Sequence, residues 1–272
     1  MKRHEIITLL VLVVTVVASI LMGLLHIDVE KPIEEVKEYT KIEYTYIQSL
    51  DEDLLGMRNV QERKEYFIET LLPLVLKSNE KVAQQRALLE DITKSTKSLT
   101  NDDKQILQSL AKKYRVKGEN YQETLEELLV RVNVLPPSLI IAQAAIESGW
   151  GTSRFVMEGN NLFGLRNRNG RGMIPNRQRE GEVFWVSVFD DLQACIDYYL
   201  WNINTYPVYE ELRTSREEME QPYDPLVLAR RLQQYSEIGI PYVEKLEKLI
   251  VKNELTEYDM YRLGQQEYSD VR

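Results

Sequence analysis

Apolar residues run without interruption by an acidic or basic side chain from Ile6 to Ile27, with His26 neutral, and afterwards recur only at intervals. The run is 22 residues long, enough to cross a hydrocarbon core of roughly 30 Å as a helix. Lys2 and Arg3 precede it, so the positive-inside rule keeps the amino terminus in the cytoplasm and exports the body. The pattern predicts an uncleaved anchor over 1–27 in the cell inner membrane, single-pass, with the rest on the periplasmic side. A cleaved signal peptide, cut after Val16-Val17-Ala18, is the alternative, but the apolar run continues through Leu21, Leu24 and Leu25.

Beyond Asp28 the chain is charged and helix-prone. Tyr66, Phe67, Leu71, Leu74 and Val75, then Val82, Leu88, Leu89 and Ile92, recur at roughly helical spacing. Residues 28–100 therefore read as a helical stalk or accessory region whose last helices pack on the main domain, with Pro73 expected to kink or break the helix. No heptad is sustained, which argues against a coiled coil.

From Thr100 onward the helix starts are legible. Thr100 with Asp103, Asn120 with Glu123 and Asp190 with Gln193 have capping-box spacing, and Asp224-Pro225 sets an N-cap before a first-turn proline. Helices are predicted over 103–114, 121–132, 137–148, 190–204, 225–234 and 241–253. Asn167 to Gly172 reads as a turn, and Val183 to Phe189 is β-branched and aromatic, which predicts a small hairpin lobe. The expected fold is mainly α, a helical domain over 101–255 with one β-hairpin lobe and a tail over 256–272.

Composition narrows the chemistry. His4 and His26 are the only histidines, so imidazole catalysis and histidine-rich zinc sites are excluded from the body. Cys195 is the sole cysteine and has no internal disulfide partner. No Gly-x-x-x-x-Gly-Lys or Gly-x-Gly-x-x-Gly occurs, and no cofactor or metal is expected. A net charge of −9 argues against nucleic acid as a partner. Carboxylates, tyrosines and amides remain.

Among the carboxylates Glu147 stands out. It ends the apolar stretch Ala142-Gln143-Ala144-Ala145-Ile146-Glu147, with no Lys or Arg within four residues on either side. Burial and the negative end of the helix dipole both raise its proton affinity, which suits a general acid. A second carboxylate across a cleft would complete a glycoside hydrolase, and Glu180 in the lobe is the candidate, with Glu182 as substitute. A solvated hairpin residue is the plain alternative for Glu180.

Ala142 to Gly151, then Thr152-Ser153-Arg154-Phe155 and Gly159-Asn160-Asn161-Leu162-Phe163-Gly164, resemble the signature of the peptidoglycan glucosaminidases of glycoside hydrolase family 73, in its Bax-type branch. Val188-Phe189-Asp190 and Tyr235-Ser236-Glu237 through Tyr242-Val243 extend the match in order across about 100–255. The resemblance implies a lysozyme-like α+β domain that cleaves β-1,4 bonds after N-acetylglucosamine, with peptidoglycan glycan strands as partner. It implies Glu147 as general acid, Glu180 as lobe carboxylate and Tyr235 as a cleft tyrosine.

Trp150, Asn161, Phe163, Tyr198 and Tyr242 are the candidates for substrate contact. Trp150 has a packing role as its alternative, Asn161 and Phe163 a loop-shaping one, and of Tyr198, Tyr199 and Trp201 at least one should be buried. The water step runs either by inversion or through the substrate's own N-acetyl oxygen. A muramidase or lytic transglycosylase on the same fold is the enzymatic rival. A non-catalytic glycan-binding tether, reaching cell-wall machinery through residues 28–100, is the alternative from another class.

Overall fold

A helix with no polar face has to be enclosed, and Pro137–Ser148 is such a helix. Ten of its twelve residues are buried, and its first turn carries Pro137 where the missing N–H costs nothing. The computed structural model describes residues 39–94, 99–167, 170–175 and 184–264, and in them several helical segments pack on this helix. The membrane segment expected over 1–27 lies outside the described residues, and among the described residues no helix is long and apolar enough to cross a membrane.

In chain order the elements are β1 (Thr40–Ile42), α1 (Asp53–Gly56), α2 (Val60–Lys94), α3 (Asn101–Tyr114), α4 (Tyr121–Arg131), α5 (Pro137–Ser148) and α6 (Arg154–Met157). There follow β2 (Arg166–Asn167), β3 (Trp185–Val186), α7 (Leu192–Thr205), α8 (Glu210–Glu217), α9 (Pro225–Ala229), α10 (Ile240–Lys252) and β4 (Tyr261–Leu263). Short 3₁₀ turns occupy Pro207–Tyr209, Gln233–Tyr235 and Leu255–Met260. The fold is mainly helical with two two-stranded sheets among the described residues. Helices α2, α9 and α10 and the 255–260 turn pack directly on α5.

Of the two outcomes expected at Pro73, a kink or a break, the break does not occur: α2 runs unbroken for 35 residues. Proline removes one backbone hydrogen bond, but Leu71, Leu72, Leu74, Val75 and Leu76 around it are all buried. Burying side chains of this size is worth about 1.5–3 kcal/mol each, which outweighs the lost bond. Residues 60–94 thus belong to the same core as the domain that follows.

The ends of the described chain are also drawn in. β1 pairs in parallel with β4, Thr40 opposite Tyr261 and Ile42 opposite Leu263, joining segments expected as stalk and tail. The Arg262 guanidinium lies 4.0 Å from the Tyr39 ring centroid. The lobe contains the expected antiparallel pairing, β2 with β3 in the register Arg166 opposite Val186.

Side-chain caps set several helix starts. Thr100 and Asp103 form the full reciprocal capping box, Asn120 accepts from the Glu123 backbone N–H, and Asp224 from Leu226 and Val227. At α7 the cap is Asp191, not Asp190: its carboxylate accepts from the Ala194 backbone N–H at 2.6 Å. The helix expected over 225–234 stops at Ala229, with a 3₁₀ turn following.

Helix α8 was not expected, because its residues Glu210–Glu217 are strongly polar. It carries Arg216, which is fully buried. The guanidinium donates to the carbonyls of Val130, Arg131, Asn133 and Val134 at 3.0–3.3 Å and to Asn204 Oδ1 at 2.8 Å. Burial lowers its pKa to about 9, so it stays cationic at neutral pH and satisfies carbonyls that the end of α4 leaves unpaired.

The N-terminus of α5 is capped from far along the chain. Asp259 accepts from the Ser138 backbone N–H and hydroxyl, each at 2.8 Å. Burial raises its pKa to about 6, against the opposing effect of those hydrogen bonds. The folded state therefore binds this proton more tightly than the unfolded chain, and the resulting stability is lost as pH rises through 6. Asp259→Asn should remove on the order of 2–3 kcal/mol from the loss in unfolding free energy between pH 4 and pH 7.5. Urea unfolding at both pH values checks this, and an unchanged pH dependence in the variant refutes it.

Candidate active site

Glu147 sits on the last turn of α5, half-buried, at the bottom of a cleft of about 590 Å³. The cleft is bounded by Phe163 to Arg166, by Phe184, Asn202 and Tyr209, and by Tyr235 to Ile238. Gly164 has a left-handed backbone, and a Cβ there would stand 3.8 Å from Glu147 Oε2, so glycine gives the turn and leaves the carboxylate open to the cleft.

The helix end is fixed by the Ser148 side chain bonding to the adjacent backbone. The Ser148 hydroxyl donates to the Ala144 carbonyl and accepts from the Gly151 N–H. Gly151 is also left-handed, and a Cβ on it would come within 2.5 Å of Leu50 Cδ1 and 2.8 Å of Leu54 Cδ2. That close approach pins the chain leaving α5 against α1.

Burial is the largest influence on Glu147 and raises its pKa. A hydrogen bond from the Tyr242 hydroxyl works against it, as do Lys245 of α10 and Arg166 of β2. The cations that local sequence lacks are thus supplied through space, and the acid form is still favoured over that of an exposed glutamate.

Four tyrosines surround the carboxylate. Tyr235 and Tyr242 stack with centroids 5.5 Å apart, Tyr209 lies against Tyr235, and Tyr199 stacks on Phe163 at 3.9 Å. Burial pushes the pKa of each hydroxyl upward, Tyr209 to about 12, so all four remain protonated donors. Tyr235 donates to the Phe163 carbonyl at 3.1 Å, tying the 233–235 turn to the opposite wall.

The structure brings together Glu147, Phe163, Tyr235 and Tyr242 and leaves three candidates elsewhere. Trp150 packs edge-on against Phe67 of α2, under Lys64, because its backbone takes φ +60° after the helix end and turns the ring away from the cleft. Tyr198 does not line the cleft but lies in a cluster with Phe189, Trp201 and Tyr206, while its neighbour Tyr199 is buried and Asn202, one turn further along α7, lines the cleft. Asn161 is buried and shapes the loop. Its amide donates to the carbonyls of Leu165 and Ser187 and its oxygen accepts from the Leu165 N–H, all within 2.9 Å.

Glu180 and Glu182 lie outside the described residues. Among the described residues the other cleft carboxylate is Glu237, whose place in Tyr235-Ser236-Glu237 carried no separate signal in the sequence. Arg166, Tyr209 and Asn202 were likewise missed, since each looks like an ordinary polar or amphipathic residue. Cys195 is fully buried, its thiol raised to about 12, and accepts from the Leu162 N–H at 3.4 Å, a packing role. Among the described residues no group of three metal-ligating side chains occurs.

A second cavity of about 410 Å³ lies between α2, the 133–137 segment and the 259–263 segment. Its charged groups are engaged structurally: Arg86 with Glu90 and the α4 carbonyls, Asp259 with Ser138. In the cleft at Glu147 a carboxyl of raised proton affinity lines open space.

Residues 122–255 match the family model described as mannosyl-glycoprotein endo-beta-N-acetylglucosaminidase. Protein bax of Escherichia coli (strain K12) is 31% identical over 186 residues, 66% of this chain and 66% of that protein. Exo-glucosaminidase LytG of Bacillus subtilis (strain 168) is 28% identical over 144 residues, 45% of this chain and 46% of that protein. The chain thus covers just under two thirds of one relative's length and less than half of the other's. Among solved structures, the catalytic domain of the autolysin Auto from Listeria monocytogenes aligns with a TM-score of 0.43 at 19% identity, covering 79% of this chain and 99% of that one.

If Asn161 shapes the loop, Asn161→Ala should destabilise the protein by roughly 2–3 kcal/mol, because buried backbone groups at 165 and 187 lose their partners. Urea unfolding measures this. Unchanged stability with loss of glycan binding would mean that Asn161 contacts substrate instead.

Proposed function

This chain belongs to the mannosyl-glycoprotein endo-beta-N-acetylglucosaminidase family, and from that membership and its cleft we propose that it is a glycoside hydrolase of peptidoglycan, cleaving β-1,4 bonds after N-acetylglucosamine. The observation that carries the reading is Glu147: a half-buried carboxyl with raised proton affinity, open to a cleft walled by tyrosines. One relative is named an exo-glucosaminidase, which supports N-acetylglucosamine on the donor side of the bond.

In this mechanism the Glu147 acid gives its proton to the glycosidic oxygen as the bond from C1 to that oxygen breaks. The leaving sugar departs as an alcohol, and positive charge develops on the donor ring. Glu147 is left as a carboxylate, and the Tyr242 hydroxyl and the fields of Lys245 and Arg166 stabilise that product charge. Water then adds at C1, with Glu180 in the lobe taking its proton or orienting the substrate's N-acetyl oxygen. The family resemblance, which implies a lobe carboxylate, supports Glu180 in this role.

Tyr235 holds the cleft wall through the Phe163 carbonyl and offers an aromatic edge to a bound sugar. The body would act on the periplasmic side of the inner membrane, a reading supported by the apolar run 6–27 behind Lys2 and Arg3.

Digestion of purified sacculi, followed by reduction and identification of the new chain ends, tests the activity. Reduced N-acetylglucosamine ends are expected. Reduced N-acetylmuramic acid ends, anhydro ends, or no products would replace this reading with a muramidase, a transglycosylase or a glycan-binding tether respectively. Glu147→Gln should abolish cleavage, a loss of at least about 10³-fold, and Glu180→Gln should lower it less completely. Substantial turnover by the Glu147→Gln protein sinks the mechanism.

A further inference from the structure

A buried amide lies one helical turn behind Glu147. Gln143 is i−4 to it on α5 and has no exposure to solvent, so both ends of the amide need partners in the protein. The Tyr199 hydroxyl donates to Gln143 Oε1, and Gln143 Nε2 donates to the Tyr242 hydroxyl oxygen at 3.0 Å. Tyr242 in turn hydrogen-bonds to the Glu147 carboxyl. Four side chains from three helices form one directed chain, Tyr199 to Gln143 to Tyr242 to Glu147.

Direction matters because a phenol has a single proton. When Gln143 Nε2 occupies a lone pair of the Tyr242 oxygen, that proton is turned toward the remaining partner, Glu147. If the amide were turned over, Oε1 would face Tyr242 and draw the proton away, and Glu147 would lose its donor. Tyr199 opposes this, because with the amide turned over its own buried hydroxyl proton would face Nε2 and lose its acceptor. Tyr199 cannot move aside: it is fully buried and stacked on Phe163 with the rings 13° from parallel.

We propose that Gln143 and Tyr199 are positioning residues for the acid, Tyr199 locking the Gln143 amide so that the Tyr242 hydroxyl presents its proton to Glu147. The proposal rests on the reading of Glu147 as proton donor for its functional meaning, but the hydrogen-bond direction can be measured without turnover. The lock makes the carboxylate, the state left after proton donation, the better partner for Tyr242.

Other charged or titratable groups face Glu147. Arg166 comes from β2, Lys245 from α10, Tyr209 from the 207–209 turn, and Tyr235, with Glu237 beside it, from the 233–237 segment. None of them is altered by removing the Tyr199 or Tyr242 hydroxyl, so their fields are common to all variants compared.

The test titrates the Glu147 side-chain carboxyl carbon by ¹³C NMR, assigned against Glu147→Gln, in the full chain and in Tyr199→Phe, Tyr242→Phe and the double variant. Both phenylalanines keep the rings and their stacking. Tyr242→Phe should move the titration to higher pH, Tyr199→Phe should reproduce part of that shift, and the double variant should match Tyr242→Phe alone. In the pH dependence of cleavage, the alkaline limb should move upward in the same order, since activity is lost when the acid ionises. A Tyr199→Phe titration at the wild-type position, or a double variant that adds the two shifts, overturns the proposal. Absence of cleavage by the wild-type chain counts against the glucosaminidase reading, and the NMR titration still decides the hydrogen-bond direction.

Discussion

The enclosure of α5 is the constraint on which the rest depends. A twelve-residue helix with ten buried positions cannot lie on a surface, so α2, α9, α10 and the 255–260 turn have to surround it. Only its last turn escapes, and that turn carries Glu147. The cost of burying the helix all round is thus also what leaves a carboxyl half out of water. A proton donor is obtained from the fold's main packing problem without a separate device.

The protein balances that burial with groups contributed from distant segments. Arg216 from α8 satisfies carbonyls at the end of α4, and Asp259 caps the start of α5. At the far end of α5 the Glu147 carboxyl faces Tyr242, Lys245 and Arg166. In each case the charged group is separated by more than ten residues from the backbone or carboxyl it serves. The same logic explains Pro73, whose missing hydrogen bond is tolerated because the surrounding leucines are buried.

Several features around the site were readable in the sequence because their causes are local. The capping side chains at 100, 120 and 224 act within three residues, and the apolar run before Glu147 marks a buried helix wherever it packs. Asn161 and Phe163 stood in a recognisable loop motif, yet their neighbours are Leu165, Ser187 and Tyr199, which no local spacing identifies as contacts. Trp150 and Tyr198 were plausible sugar contacts by residue type. Their backbone conformation and helix face turn one toward α2 and the other toward Trp201.

By itself the sequence determined a helical body, a carboxyl at an apolar helix end, and the absence of histidine from that body. These follow from periodicity and composition, which act over a few residues or over the chain as a whole. The tertiary structure alone decided which tyrosines face Glu147, that Gln143 links Tyr199 to Tyr242, and that the expected stalk and tail join as β1 and β4. Hydrogen-bond direction and burial depend on atoms brought within about 3 Å by segments up to some two hundred residues apart, and a linear pattern does not encode that proximity.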